Sequence, residues 1–324
     1  MDFLSRRGFL KLSSTALVFC PFGHQLFAYE KGISVKTYTY KKVGDLEIKV
    51  VVHRHDDNVI RPVVVKIHGG ALIMGHRDWE NDKVCLKLLE AGYVIVSVDY
   101  RLAPETKLPA IIEDLEDVFI WIREEGPELF QVDTSKIAVT GNSAGGYLTL
   151  TSGFRVKPRP TVLVAFYGYG DLIGDWYSTP SQHHHSEITE QEAWEQVSGS
   201  EISDSRDRQG DGGAFYQYCR KHGLWPKAVS GWDPFTEAEK FFPYMPVRNV
   251  THDFPPTMLI HGTNDTDVPY EQSLMMAEEF KKHNVEHKLI ALPGAEHGLR
   301  DGDPELVDAA YNSAFKYIDQ FMTK

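Results

Sequence analysis

Ile137-Ala-Val-Thr-Gly141-Asn142-Ser143-Ala144-Gly145-Gly146 is the stretch on which the reading of this chain turns. An apolar, β-type run from Ile137 to Val139 enters a G-x-S-x-G pentapeptide, and the helix-compatible run Tyr147-Leu-Thr-Leu-Thr151 leaves it. Strand, sharp turn and helix in that order form the setting in which such a serine stands exposed as a nucleophile. The turn is tight enough to strain the serine backbone, and Gly141 and Gly145 leave space where a Cβ would clash. Ser143 is therefore expected to hold its hydroxyl above a sheet, at a helix N-terminus. There the Ala144 amide and the helix dipole face any developing negative charge.

Working outward, Val35 to His55 alternates apolar and polar residues about Gly44-Asp45, which predicts an antiparallel hairpin at a sheet edge. Pro62–His68 and Tyr93–Val98 are nearly continuous β-branched runs, as strands buried on both faces require. Thr161–Phe166, Thr257–His261 and Lys288–Leu292 supply three more strands. Helical spacing is found at Trp79–Ala91 (stopping at Gly92), Pro109–Glu125, Tyr270–Asn284 and Asp303–Phe321. Strands alternating with such helices predict an α/β fold, with a mostly parallel sheet covered on both faces. From Gly168 to about Phe254 the rhythm breaks into a stretch rich in Trp, Tyr, Gly and charge. A structureless loop of that length is improbable in a compact domain, so a partly helical cap inserted over the sheet is expected. Trp176, Trp194, Trp225 and Trp232 lie in it. They either wall a site for an acyl, aryl or sugar group or, the plainer reading, pack the cap's own core.

Serine-based acyl transfer needs a base, a carboxylate to orient it, and donors for an oxyanion. His297, in Pro293-Gly-Ala-Glu-His297-Gly298, sits just after the last predicted strand and is the expected base. The preceding strand ends in His261-Gly-Thr-Asn-Asp265-Thr-Asp267-Val-Pro269, which offers two carboxylates. Asp265, nearer the strand end, is the expected acid, and Asp267 is expected to cap the next helix or brace the loop. The order Ser143, Asp265, His297 suits a nucleophile-acid-base arrangement on successive sheet-top loops. Rigid backbone amides make the best oxyanion donors. Gly70 and Ala71, from His68-Gly69-Gly70-Ala71, are expected to join Ala144 in that role, with His68 supporting their loop. The run His183-His184-His185 is read as a polar loop, because consecutive side chains diverge and rarely meet on one metal ion.

His-Gly-Gly at 68–70, Asp99-Tyr-Arg-Leu-Ala-Pro-Glu105 and Gly141-Asn-Ser-Ala-Gly-Gly146 together resemble the hormone-sensitive-lipase-like esterases of the α/β-hydrolase superfamily. The resemblance spans roughly residues 60–165. It implies an α/β-hydrolase fold and a serine carboxylesterase that needs no cofactor and no metal, with residues 99–105 bracing the oxyanion loop. Two features depart from that family. Ala71 stands where many members carry a third glycine, and Thr263–Ser273 is more similar to the acid loop of prolyl-oligopeptidase-type and dienelactone-type hydrolases. The cap also follows a central strand, where that esterase family often places its lid at the N-terminus.

The chain opens Ser5-Arg6-Arg7-Gly8-Phe9-Leu10-Lys11, followed by a short apolar run from Leu12 to Phe19. This reads as a twin-arginine export signal ending at Ala28, since the run is shorter than the ~20 residues of a membrane span. A periplasmic or extracellular protein is expected, with a domain from 29 to 324. The whole chain carries a net charge of −12, and removing Asp2, Arg6, Arg7 and Lys11 leaves −14. No basic stripe remains for a nucleic-acid backbone. Cys85 and Cys219 are expected to be structural thiols. The expected partner is a small or polysaccharide-linked ester. A serine exopeptidase, suggested by the acid loop, and a non-catalytic hydrolase-like binding module are the rival readings.

Overall fold

The computed structural model describes residues 32–78, 82–197 and 199–323; the twin-arginine segment and residues 79–81 of the expected Trp79–Ala91 helix lie outside them. The strands are β1 (Ile33–Val43), β2 (Leu46–His55), β3 (Arg61–Ile67), β4 (Val94–Val98), β5 (Val132–Asn142), β6 (Val162–Phe166), β7 (Thr257–Gly262) and β8 (His287–Leu292). The helices are α1 (Lys83–Glu90), α2 (Leu108–Phe130), α3 (Ala144–Arg155), α4 (Asp175–Ser178), α5 (Glu190–Glu195), α6 (Gly213–His222), α7 (Trp225–Ser230), α8 (Glu271–Lys282) and α9 (Pro304–Met322).

One sheet runs in the order β1-β2-β4-β3-β5-β6-β7-β8. β1 and β2 form an antiparallel hairpin at its edge, β2 meets β4 antiparallel, and every pairing from β4 through β3 to β8 is parallel. The central strands are buried on both faces because alternate side chains feed different cores. Val63, Val65 and Ile67 of β3, with Ile137 and Val139 of β5, pack with α2, α3, α8 and the cap. Val64 and Ala138 point the other way, toward α1 and α9. The parallel strands therefore all end at one rim, where their following loops gather.

Some boundaries differ from the sequence expectation; α1 starts at Lys83, directly after its N-cap Asp82, and not at Trp79. α2 continues past Glu125 through Gly126-Pro127 to Phe130. A Cβ on Gly126 would come within 2.9 Å of both the Phe130 ring and Val132 Cγ2, so the bare glycine lets the last turn lie against its own continuation. β5 begins at Val132, five residues before its apolar run, because Arg61 and Pro62 of β3 pair with Val132 and Asp133 before a register shift. Between β6 and β7, the described residues form only short helices and 3-10 turns. Many aromatics of this span belong to the main core: Tyr169, Tyr177 and Trp225 are fully buried in it and Trp176 and Trp232 pack against it, while Trp194 is exposed. Cys85 and Cys219 are buried free thiols.

Candidate active site

At the end of β5 the chain turns into α3 through Ser143, whose φ of 55° and ψ of −121° lie outside the regions open to most L-residues. The flanking glycines are sterically required. A Cβ on Gly141 would lie 2.3 Å from the Gly145 carbonyl oxygen, and one on Gly145 would lie 2.2 Å from that of Ile67. Ala144 is the first residue of α3, so its N–H is among those a helix leaves without an internal partner.

His297 follows β8 and Asp265 follows β7, and both loops reach the elbow from the same rim. The Ser143 hydroxyl donates to His297 Nε2 at 3.1 Å. His297 Nδ1–H donates to Asp265 Oδ2 at 2.7 Å. Asp265 Oδ1 accepts the backbone N–H groups of Asp267 (3.0 Å) and Val268 (2.8 Å), which fixes the carboxylate. His261, at the end of β7, is also engaged. Its Nε2–H faces the Val268 carbonyl at 2.9 Å and Asp265 Oδ2 at 3.3 Å, while Nδ1 accepts from Ser273 Oγ. The Tyr167 ring meets the His297 ring edge-on at 4.9 Å, after a φ of 36° at the end of β6.

Burial opposes charge on His297. The hydrogen bond to Asp265 and the negative charges of Asp267 and Asp265 outweigh it and hold the imidazole pKa above its ordinary value. Burial likewise works to raise Asp265, and hydrogen bonds from His261 and His297 reverse this, keeping it below the ordinary carboxylate range.

The glycine-rich loop after β3 packs directly on the elbow. A Cβ on Gly69 would sit 2.8 Å from the Asn142 carbonyl oxygen and 3.3 Å from Ser143 Cβ. Gly70 has φ 104°, and Ala71 and Leu72 follow at 57° and 61°. Ala71 thus occupies a left-handed conformation that glycine would adopt freely. Residues 99–105 hold this loop. Tyr100 donates to the His68 carbonyl at 3.1 Å and stacks on the His68 ring at 4.3 Å. Ala103 N–H donates to the Leu72 carbonyl at 2.8 Å. Asp99 accepts from the Arg77 backbone and guanidinium. His68 points Nδ1 at the Gly69 carbonyl, 2.7 Å away, and is held neutral by burial at a pKa of about 4.

Two ties between the cap and the site escaped the sequence reading. Trp225 Nε1–H donates to the Ala71 carbonyl at 2.9 Å, tying the cap to the glycine-rich loop. Arg208 donates to the carbonyls of Ile73 and Ala103 and pairs with Glu105, doing the same from a second cap position. Asp267 does not cap α8, whose N-cap Tyr270 makes no side-chain cap bond. Of its two expected roles it takes the other, bracing the acid loop by tying it to the cap: its Oδ1 accepts from Tyr216 and Arg220 of α6 and lies 3.2 Å from His184 Nε2. Of the three consecutive histidines only His184 turns inward. Beside the elbow, a cavity of roughly 290 Å³ is lined by Lys66, His68, Gly69, Asn142, Tyr167 and Tyr311 among others.

Residues 64–209 match the α/β-hydrolase-fold family, and residues 216–324 match the prolyl oligopeptidase family. With the sheet order and the elbow, these matches give the chain the α/β-hydrolase fold. Among relatives, it is 27% identical to Esterase LipC of Mycobacterium tuberculosis, over 74% of this chain and 54% of that protein. It is 24% identical to the non-reducing polyketide synthase Preu3 of Preussia isomera, over 82% of this chain and 12% of that protein. The chain thus spans about half, or far less, of the length of these curated relatives. An acetyl ester-xyloside bifunctional hydrolase from Caldicellulosiruptor lactoaceticus has the same fold, with a TM-score of 0.64 and 21% identity over 88% of this chain and 96% of that one.

Proposed function

We propose that this chain is an exported serine hydrolase that cleaves carboxylic esters, with Ser143 as nucleophile, His297 as base and Asp265 as its orienting acid. The observation that carries this reading is the continuous relay from Ser143 Oγ to Asp265, on a strained elbow at the rim of a parallel sheet. The Ser143 proton passes to His297 Nε2 as Oγ bonds to the ester carbon. The amides of Gly70, Ala71 and Ala144 take the oxyanion, and the leaving oxygen departs with the proton from Nε2. Water, deprotonated by His297, then attacks the acyl-enzyme; the acid leaves as Ser143 regains its proton. The relative named as an esterase favours ester cleavage as the reaction. The twin-arginine leader carries the periplasmic or extracellular assignment.

The test is hydrolysis of p-nitrophenyl esters from acetate to laurate, methyl ferulate and acetylated xylan by wild type and Ser143→Ala. Short-chain turnover in wild type, reduced by about 10³-fold or more in the variant, is expected. The prolyl oligopeptidase match over 216–324 favours a second reading, a serine exopeptidase. Cleavage of a proline-containing dipeptide anilide with negligible ester turnover would decide for it.

A further inference from the structure

Asp267 has two chemically different oxygens. Oδ1 is engaged by the Tyr216 hydroxyl, by Arg220 at 3.1 Å and by His184 at 3.2 Å. Oδ2 accepts none of these; it faces His297, 3.6 Å from Nε2, beyond hydrogen-bond reach. Nε2 is the atom that returns a proton to the leaving alcohol in the reaction proposed above. A leaving oxygen hydrogen-bonded to Nε2 therefore lies beside a carboxylate oxygen with accepting capacity to spare.

From this geometry we infer that Asp267 is a specificity-determining residue on the alcohol side of the site. Its Oδ2 accepts a hydrogen bond from a hydroxyl on the carbon next to the esterified one. The favoured substrates are then esters of polyols and sugars rather than of simple alcohols. The inference rests on the esterase reading and adds which half of the ester is recognised, and by what.

The surroundings favour a neutral donor over an ammonium group. Arg220 is buried, lies over the Tyr177 ring at 4.7 Å and already balances the Asp267 charge. A substrate cation would also stand beside the imidazolium that forms on His297, where like charges raise the barrier. A hydroxyl adds no charge, and an O–H bonded to a carboxylate is among the stronger hydrogen bonds available. Arg220 and Tyr216 come from α6 and His184 from the loop between α4 and α5, so the cap sets the carboxylate that would read the substrate.

The experiment compares 2-hydroxyethyl acetate with propyl acetate, which differ by a hydroxyl in place of a methyl, using the full chain and p-nitrophenyl acetate as a donor-free control. Wild type is expected to show kcat/KM about tenfold higher for the hydroxyethyl ester, the size expected of one charge-assisted hydrogen bond. In Asp267→Asn the three donors claim the amide oxygen, so an NH2 faces Nε2; the preference is expected to vanish. A wild type that treats both esters equally would overturn the inference, with no variant needed. An equal loss on all three esters in Asp267→Asn, with the preference intact, would also overturn it and leave Asp267 as a brace for the cap. No turnover of p-nitrophenyl acetate by wild type would instead remove the esterase reading on which the inference stands.

Discussion

His297 must be neutral at Nε2 to accept the Ser143 proton, so its protonation state sets the acid side of activity. Burial alone would lower its pKa, but Asp265 and Asp267 together carry it above the ordinary 6.5. The acid limb of kcat/KM for p-nitrophenyl acetate is therefore expected to have its midpoint above pH 6.5, and Asp267→Asn is expected to shift it downward. A limb at or below 6.5 in wild type would contradict the assigned base. The linkage to stability has the opposite sign. A histidine whose folded pKa is raised stabilises the fold below its unfolded pKa, and that contribution is lost as pH rises through the folded value. Asp267 behaves the other way, since the His184 hydrogen bond and the charges of His297 and Arg220 outweigh its burial and lower its pKa. Its contribution is present above the unfolded carboxylate pKa and is lost as pH falls through the folded one. The two groups thus titrate in separate pH ranges, and a pH series of Tm beside the kinetic profile separates them.

At the scale of elements, the local grammar is legible in the sequence and the long-range ties are not. The elbow can be read because strand, Gly-x-Ser-x-Gly and helix are contiguous. His297 and Asp265 can be read because each follows a strand whose apolar run is visible by itself. The Trp225–Ala71 bond spans 154 positions and Arg208–Ala103 spans 105, and no periodicity marks such partners. The same holds for Tyr169, Tyr177 and Trp225 of the cap, which join the main core rather than forming one of their own. Asp267 can be read as a brace of its loop, but its partners cannot, because they lie on α6, 47 to 51 residues upstream. The Trp225 bond also permits a prediction. Trp225→Phe keeps a ring against Tyr177 but removes the donor to the Ala71 carbonyl. One neutral hydrogen bond contributes about 1 kcal/mol, so a loss of roughly fivefold in kcat is expected, with KM for p-nitrophenyl acetate little changed. A variant that loses Tm but keeps wild-type kcat would show that the tie packs the cap without shaping the oxyanion loop.

Across the whole molecule, the loop that braces the site is anchored in the layer of helices beneath it. Arg101, in the middle of the 99–105 stretch, is buried and forks onto Asp114 of α2 through Nε and a terminal nitrogen, both at 2.8 Å. Asp114 has no exposed surface and also accepts the Arg101 backbone N–H at 3.0 Å and the Lys41 ammonium of β1 at 2.7 Å. One carboxylate thus joins the edge hairpin, the long helix and the 99–105 loop that supports the glycine-rich loop. A buried pair need not stabilise a fold relative to apolar residues of similar size, yet removing one partner strands the other's charge at a cost of about 3–5 kcal/mol. Lys41 retains Asp117 at 2.6 Å, whereas Arg101 keeps the Ala110 carbonyl at 3.1 Å and, among carboxylates of the described residues, half-exposed Glu201 at 3.6 Å. Asp114→Ala is therefore expected to lower Tm by roughly 10 °C, taking about 2–4 °C per kcal/mol for a domain of this size. Pairing Arg101→Met with Asp114→Leu removes both charges together and is expected to recover most of that loss. If the double variant is no more stable than Asp114→Ala, the cost lies in packing rather than in a stranded guanidinium, and the carboxylate's part in joining the three elements is steric.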